Sequence, residues 1–359
     1  QTFYALSTLE KIEVEEGNKA YAGEEGILYN KEKTELISYP QKKADITEYK
    51  VLEGVERIKE GAFRYNRIIE KVELPESLKE IEKEGFYYCQ ALQRIQIPDK
   101  VESIGANAFQ KCTSLQELVL GKGVEKIGGN AFSNCTKLSR IEIEGNVEEI
   151  GSLAFYDTAV KELGIGEGVS ELKQTFYALS TLEKIEVEEG NKAYAGEEGI
   201  LYNKEKTELI CYPQKKADIT EYKVPEGVES IREYAFYRNT DIVKIILPES
   251  LENIGKYAFG YCSNLTDVSI TEGLKNIGEY AFAYCSSMKV LQLPDSLENI
   301  GMSVFSSCQD LTIYCNANSK IAAYAEKYNI SYITATYRIT CNLKKYCSVL
   351  NEDQKAIEM

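Results

Sequence analysis

Apolar residues recur along this chain with a long period, and each period contains two short extended stretches and one turn. The segment Leu92–Ser114 reads LQRIQIPDKVESIGANAFQKCTS; counting Leu92 as position 1, apolar residues stand at positions 1, 4, 6, 10, 13, 17, 18 and 21. Positions 4 and 6 alternate with polar neighbours, the pattern of a half-buried strand. Proline at position 7 (Pro75, Pro98, Pro225, Pro248, Pro294) ends that strand, because it has no N–H for a ladder hydrogen bond. Val101 and Ile104 predict a second short stretch on the other side of the coil. Glycine at position 14 (Gly105, Gly128, Gly151, Gly255, Gly278, Gly301) predicts a tight corner where a side chain would clash or φ is positive. Ala-Phe at positions 17 and 18 then opens a return turn, with the ring filling the coil interior.

All eleven phenylalanines occupy this one position. Phe63, Phe86, Phe109, Phe132 and Phe155 are spaced by 23 residues, as are Phe236, Phe259, Phe282 and Phe305. Phe176 follows Phe155 by 21, and the gaps from Phe3 to Phe63 and from Phe176 to Phe236 are both 60. A unit of this size cannot bury its own apolar face, so it must stack on its neighbours. The expectation is a solenoid whose rings form a single interior spine, with like residues about 4.8 Å apart in successive coils.

Two repeats are enlarged, over 9–45 and 182–218. Inside the second, residues 199–213 (GILYNKEKTELICYP) place two alternating apolar stretches around a polar Asn203–Lys206 turn. This predicts a β-hairpin that replaces the Ala-Phe turn and projects from the coil, and residues 26–40 predict the same. Residues 1–51 recur as 174–224, with Ser38 replaced by Cys211 as the one difference. Identity at that level in exposed loops reads as a recent in-frame duplication, which a one-dimensional array tolerates. Near the other end, Ile321, Tyr324, Ala325 and Tyr328 stand at helical spacing, with Asn318 or Ser319 as N-cap. A helix over about 318–329 would cover the last coil, and residues 334–359 form a tail that fits no repeat.

The recurring Leu-x-x-Ile-x-Ile-Pro, Val-x-x-Ile-Gly and Ala-Phe-x-x-Cys elements are seen in Leu265–Ile270, Leu274–Gly278 and Ala281–Cys285. They resemble the BspA-like leucine-rich repeats of bacterial and protist surface proteins, over residues 1–333. The fold expected is an α/β-type leucine-rich-repeat solenoid, β-dominated. It would be a right-handed superhelix of 23-residue coils with parallel strand ladders, two inserted hairpins and a C-terminal capping helix. The resemblance implies a non-catalytic module for adhesion at the cell surface. Its partner would be a protein or glycan of a host or neighbouring cell. A structural spacer displaying another domain away from the envelope is the alternative.

Composition narrows the chemistry further. Formal net charge is −15, from 42 basic and 57 acidic residues, which argues against nucleic acid or anionic lipid as partner. Histidine is absent, so no imidazole base or ligand is available. No apolar run reaches the length of a membrane span, so insertion by this segment is not expected. The chain opens at Gln1, midway through a repeat, which is read as a trimmed or processed form lacking upstream coils or a leader. The array is expected to be monomeric, with no cofactor, no metal and no catalytic residues.

Six of ten cysteines (Cys89, Cys112, Cys135, Cys262, Cys285, Cys308) stand at position 21, where a buried thiol packs as a small hydrophobe. Cys211, Cys315, Cys341 and Cys347 lie off that ladder and are the better disulfide candidates. Strand positions 3 and 5 face outward and read Lys11/Glu13, Lys71/Glu73, Arg94/Gln96, Arg140/Glu142, Lys184/Glu186 and Lys244/Ile246, a solvated face of paired charge. The candidate binding residues are tyrosines beside the repeat phenylalanine: Tyr234, Tyr237, Tyr257, Tyr261, Tyr280 and Tyr284. Rows of such rings give rigid amphipathic contact surface, or else a purely structural ladder.

Overall fold

The computed structural model describes residues 6–43, 46–143, 146–177, 179–216, 219–317, 319–334, 338–342, 346–350 and 356–358. The chain forms two compact units, Gln1–Glu205 with Cys211–Ala217, and Lys206–Ile210 with Asp218–Met359. Each is a stack of coils joined by parallel pairing of like positions. In the first unit Glu48–Lys50, Lys71–Glu73, Arg94–Gln96 and Glu117–Val119 make one ladder, and Arg140–Ile143, Glu162–Ile165 and Lys184–Val187 make another. The second extended stretch of an ordinary coil is only two residues, as in Ser103–Ile104 and Lys126–Ile127, yet it pairs in register from coil to coil. In the second unit Glu221–Lys223, Lys244–Ile246 and Asp267–Ser269 pair in the same manner.

The rings stack as a column wherever the period holds. Phe63 and Phe86 lie 4.7 Å apart with planes 9° from parallel, Phe86 and Phe109 5.0 Å and 4°, and Phe109 and Phe132 5.3 Å and 5°. In the second unit Phe236, Phe259, Phe282 and Phe305 follow at 4.9, 5.0 and 5.7 Å. Phe176 departs from the expected spine and is half-buried. Its coil reaches the position two residues early, and the buried Thr175 donates its hydroxyl to the Ile150 carbonyl beside it. Phe3 lies outside the described residues.

The corner glycines answer to sterics, and φ is not positive at any of the six. A Cβ on Gly128 would lie 2.5 Å from the backbone nitrogen of Ala106 in the preceding coil, and Gly105, Gly151, Gly255, Gly278 and Gly301 meet the same obstruction. Positive φ instead belongs to two positions flanking each Ala-Phe. Asn107 and Lys111 bracket Phe109 at φ 58° and 63°, and Tyr280 and Tyr284 bracket Phe282 at 56° and 63°.

The first enlarged repeat contains three antiparallel strands, β1 (Tyr21–Glu24), β2 (Ile27–Asn30) and β3 (Glu35–Ser38). The hairpin does not simply project, nor does it replace the turn. Ile27, Leu28 and Tyr29 are buried, and the Ile12 amide donates to the Gly26 carbonyl at 2.8 Å, so the insertion doubles back on its own coil. β3 serves as the second extended stretch, pairing with Arg57–Ile58. Tyr39 then takes the phenylalanine position, its ring 4.9 Å from Phe63.

The helix α1 (Lys320–Lys327) is capped by Ser319, whose hydroxyl accepts from the Ala322 amide at 3.1 Å. Tyr324 sets its ring edge-on to Phe305 and its hydroxyl accepts from the Val304 amide at 2.8 Å. The helix thus closes the aromatic column of its unit. Among the described residues no helix is long and apolar enough to cross a membrane. Beyond the parallel strand Ser331–Thr334 follow three antiparallel strands, Arg338–Asn342, Tyr346–Leu350 and Ala356–Glu358, in which Cys341 and Cys347 are register partners.

Gly128→Ala should lower stability by about 1–3 kcal/mol, the usual cost of overpacking. Gly164→Ala, on a strand with open space around the added methyl, should be neutral or slightly stabilising. Urea midpoints of the two variants against the parent check the contrast.

Candidate recognition surface

The six nominated tyrosines fall on one stretch of surface in the second unit. Tyr234, Tyr257 and Tyr280 stack in a row with centroids 5.5 and 4.9 Å apart and planes within 9°. Tyr261 and Tyr284 stack at 4.3 Å beside them. Tyr237 is not presented: it is 5% exposed and packs edge-on against Tyr234, Tyr257 and Tyr261 as the support of the cluster. Arg238 lies over Tyr237 and Tyr261, its guanidinium carbon 5.5 and 5.6 Å from the ring centroids. Burial, together with the neighbouring Tyr284, raises the Tyr261 phenol above its ordinary range.

Local backbone explains how the rows arise. Tyr234, Tyr257, Tyr261, Tyr280 and Tyr284 all sit at φ between 51° and 63°. For a residue with a side chain that conformation costs roughly 1–2 kcal/mol. Ring stacking returns about 0.5–1.5 kcal/mol per pair, so a stacked row largely offsets the backbone cost. Gly260 clears the space, since a Cβ there would come within 2.8 Å of the Tyr257 ring. The rows end at Ser303 and Ser307, which hold the same left-handed positions in the last coil. With no ring beyond it, Tyr284 is 43% exposed.

The outward strand columns behave differently. Lys11 pairs with Glu13 at 2.7 Å, Lys71 with Glu73 at 2.8 Å, Arg94 with Glu117 at 2.8 Å, and Lys184 with Glu186. Lys244 reaches across to Glu221 at 3.0 Å. Beside this face, where Gly164 leaves the strand bare, a groove of about 560 Å³ is walled by Gly196 and Gly199 of the second enlarged repeat. Gly164 itself lies inside the strand Glu162–Ile165.

The cysteine ladder does more than fill space. Each thiol donates to the phenylalanine carbonyl of the preceding coil: Cys89 to Phe63 at 3.0 Å, Cys112 to Phe86 and Cys135 to Phe109 at 3.1 Å. Cys262, Cys285 and Cys308 repeat the bond to Phe236, Phe259 and Phe282. Burial pushes the Cys262 thiol up to about 12 and the Cys308 thiol to about 11, from an ordinary 9.0. Cys211 and Cys315 are free and buried, so neither is a disulfide partner. The side chains of Cys341 and Cys347 lie outside the described residues. Asn66, Thr158 and Asn239 replace cysteine in three coils, and each keeps its side chain bonded to local backbone.

The stacked coils, inward leucine and isoleucine columns and parallel ladders define a leucine-rich-repeat solenoid. The BspA-type leucine-rich-repeat profile matches residues 34–158, 104–197 and 205–332, and the chain belongs to that family. Among solved structures, a leucine-rich cell surface protein of Faecalibacterium prausnitzii A2-165 is similar with a TM-score of 0.68 at 22% identity, over 89% of this chain and 96% of its own. The pneumococcal vaccine antigen PcpA is similar with a TM-score of 0.61 at 25% identity, over 87% of this chain and 73% of its own. No curated protein matches the chain.

A thiol whose folded pKa is raised contributes stability below its unfolded value, and that contribution is lost as pH rises through the folded one. The urea midpoint should therefore fall as pH rises above 9.0, with the decline extending to about 11–12 for Cys308 and Cys262. The decline should shrink when Cys262, Cys285 and Cys308 are replaced by serine. Below pH 9.0 a thiol reagent should label these three only on unfolding.

Proposed function

We propose that this chain is a non-catalytic recognition module of a cell surface, and that it binds a protein or glycan of a host or neighbouring cell. The observation that carries the reading is the contiguous tyrosine face of the second unit. Tyrosine brings a large rigid contact area with little side-chain entropy to lose, and it is enriched at the energetic centres of interfaces. Here the rings occupy backbone positions where asparagine stands in other coils, Asn107, Asn130 and Asn134, without a cost of comparable size. The similarity to PcpA and to the Faecalibacterium cell surface protein supports an extracellular setting. A spacer is the second reading, favoured by the charge-paired strand face, which presents few anchors.

Replacing Tyr257, Tyr261, Tyr280 and Tyr284 together by serine copies the native Ser303 and Ser307 and preserves the fold. Beads coated with the parent chain should adhere to extracellular-matrix proteins, and the variant should lose most of that adhesion. Undiminished adhesion would remove the tyrosine face as the binding surface and leave the spacer reading.

A further inference from the structure

We infer that Arg67, Tyr88 and Lys111, on three successive coils of the first unit, form a docking site for a short acidic segment of a partner protein. The Arg67 guanidinium carbon lies 4.8 Å from the Tyr88 ring centroid and the Lys111 ammonium 5.6 Å from it. Among the described residues neither cation meets a carboxylate. Arg67 is exposed, and Tyr88 and Lys111 are half-buried. The nearby Glu84 is already engaged by Arg64 at 2.6 Å. Arg64 in turn lies 4.9 and 5.0 Å from the rings of Tyr65 and Tyr87.

The cluster is held rigidly before any ligand arrives. Tyr65 meets Tyr87 and Tyr88 edge-on, each at 5.6 Å. The Tyr65 amide donates to the Tyr87 carbonyl and the Tyr88 amide to the Gln110 carbonyl, both at 2.8 Å. Preorganisation of this kind lowers the entropy lost on binding. Two cations beside an aromatic ring suit a ligand with carboxylates next to an apolar or aromatic residue, and arginine binds carboxylate through two parallel hydrogen bonds. A long polyanion must also cross the rest of a surface whose net charge is −15, which repels it. A short acidic stretch of protein, presented locally, avoids that repulsion. The inference rests on charge and geometry in this unit and does not depend on the tyrosines of the other.

The test uses the full chain and a fluorescein-labelled oligoglutamate peptide containing one tyrosine, followed by fluorescence anisotropy at low salt. The parent should bind, with affinity falling as salt is added. R67E/K111E should weaken binding by at least about tenfold, the scale of one lost close charge pair. Far-UV circular dichroism should be unchanged, because both side chains are outside the core. Y88N, which keeps a residue tolerant of positive φ, should also weaken binding. The four tyrosine-to-serine changes in the second unit should leave it intact, so failure here is separable from failure of the tyrosine face. Equal peptide binding by R67E/K111E, or none by the parent, overturns the proposal. So does binding of a sulfated oligosaccharide, rather than the peptide, through these residues.

Discussion

Each coil depends on the ring of its repeat phenylalanine meeting the ring of the next at about the spacing that backbone hydrogen bonds impose. The Phe86 amide donates to the Ala108 carbonyl of the following coil at 2.7 Å, while the Phe86 carbonyl accepts from the Cys89 amide and from the thiol of Cys112. Ring, amide, carbonyl and thiol are thus bound in one repeating knot. Burial of a phenylalanine is worth about 1.5–3 kcal/mol, and the hydrogen bonds prevent the polar backbone beside it from being buried without partners. The other periodic features follow from this spacing. Coils this close admit no side chain at the corner, hence the row from Gly105 to Gly151, and they bring the short extended stretches into parallel register.

The return turn is where the fold leaves room for variation. Two left-handed residues flank every Ala-Phe, and their side chains stand outside the knot. Some coils fill these places with asparagine, which tolerates the backbone, and others with tyrosine, which does so at a cost. Because like positions lie one coil apart, a tyrosine at such a place finds another above it, and stacking compensates for the strain. A surface of any chosen chemistry can therefore be written onto the turns while the interior stays constant. Stacked tyrosine rows mark the second unit, with Arg238 over two of the rings, and in the first Arg67 and Lys111 share one ring.

The period, the strands, the hairpin and the family were legible in the sequence because they follow from apolar spacing, which burial dictates directly. Less legible was anything set by which coil lies next door. Phe176 obeys the motif yet is half-buried, because its coil is short and Thr175 takes up the adjoining space. The cysteines read as small hydrophobes, but their position is better explained by a donor able to reach the preceding phenylalanine carbonyl. Only the register between coils reveals that carbonyl. Tyr237 stands one residue after its phenylalanine and Tyr261 two after, yet it is packing between coils that decides that the first supports the cluster while the second borders solvent. The pairing of Arg67 with Tyr88 and Lys111 is likewise invisible along the chain, being a contact across coils.

The duplicated segment exposes one more property of this architecture. Tyr194 is 7% exposed, and its hydroxyl accepts from the Leu172 amide of the coil before it at 2.9 Å, whereas its identical counterpart Tyr21 is 46% exposed. In the second copy the same residues thus bond to the short coil beneath them with no adjustment of sequence. Recombination between the two copies would add or delete a block of 173 residues and leave every junction chemically familiar. Related strains are then expected to differ in the reach of this array more readily than in the design of its rungs.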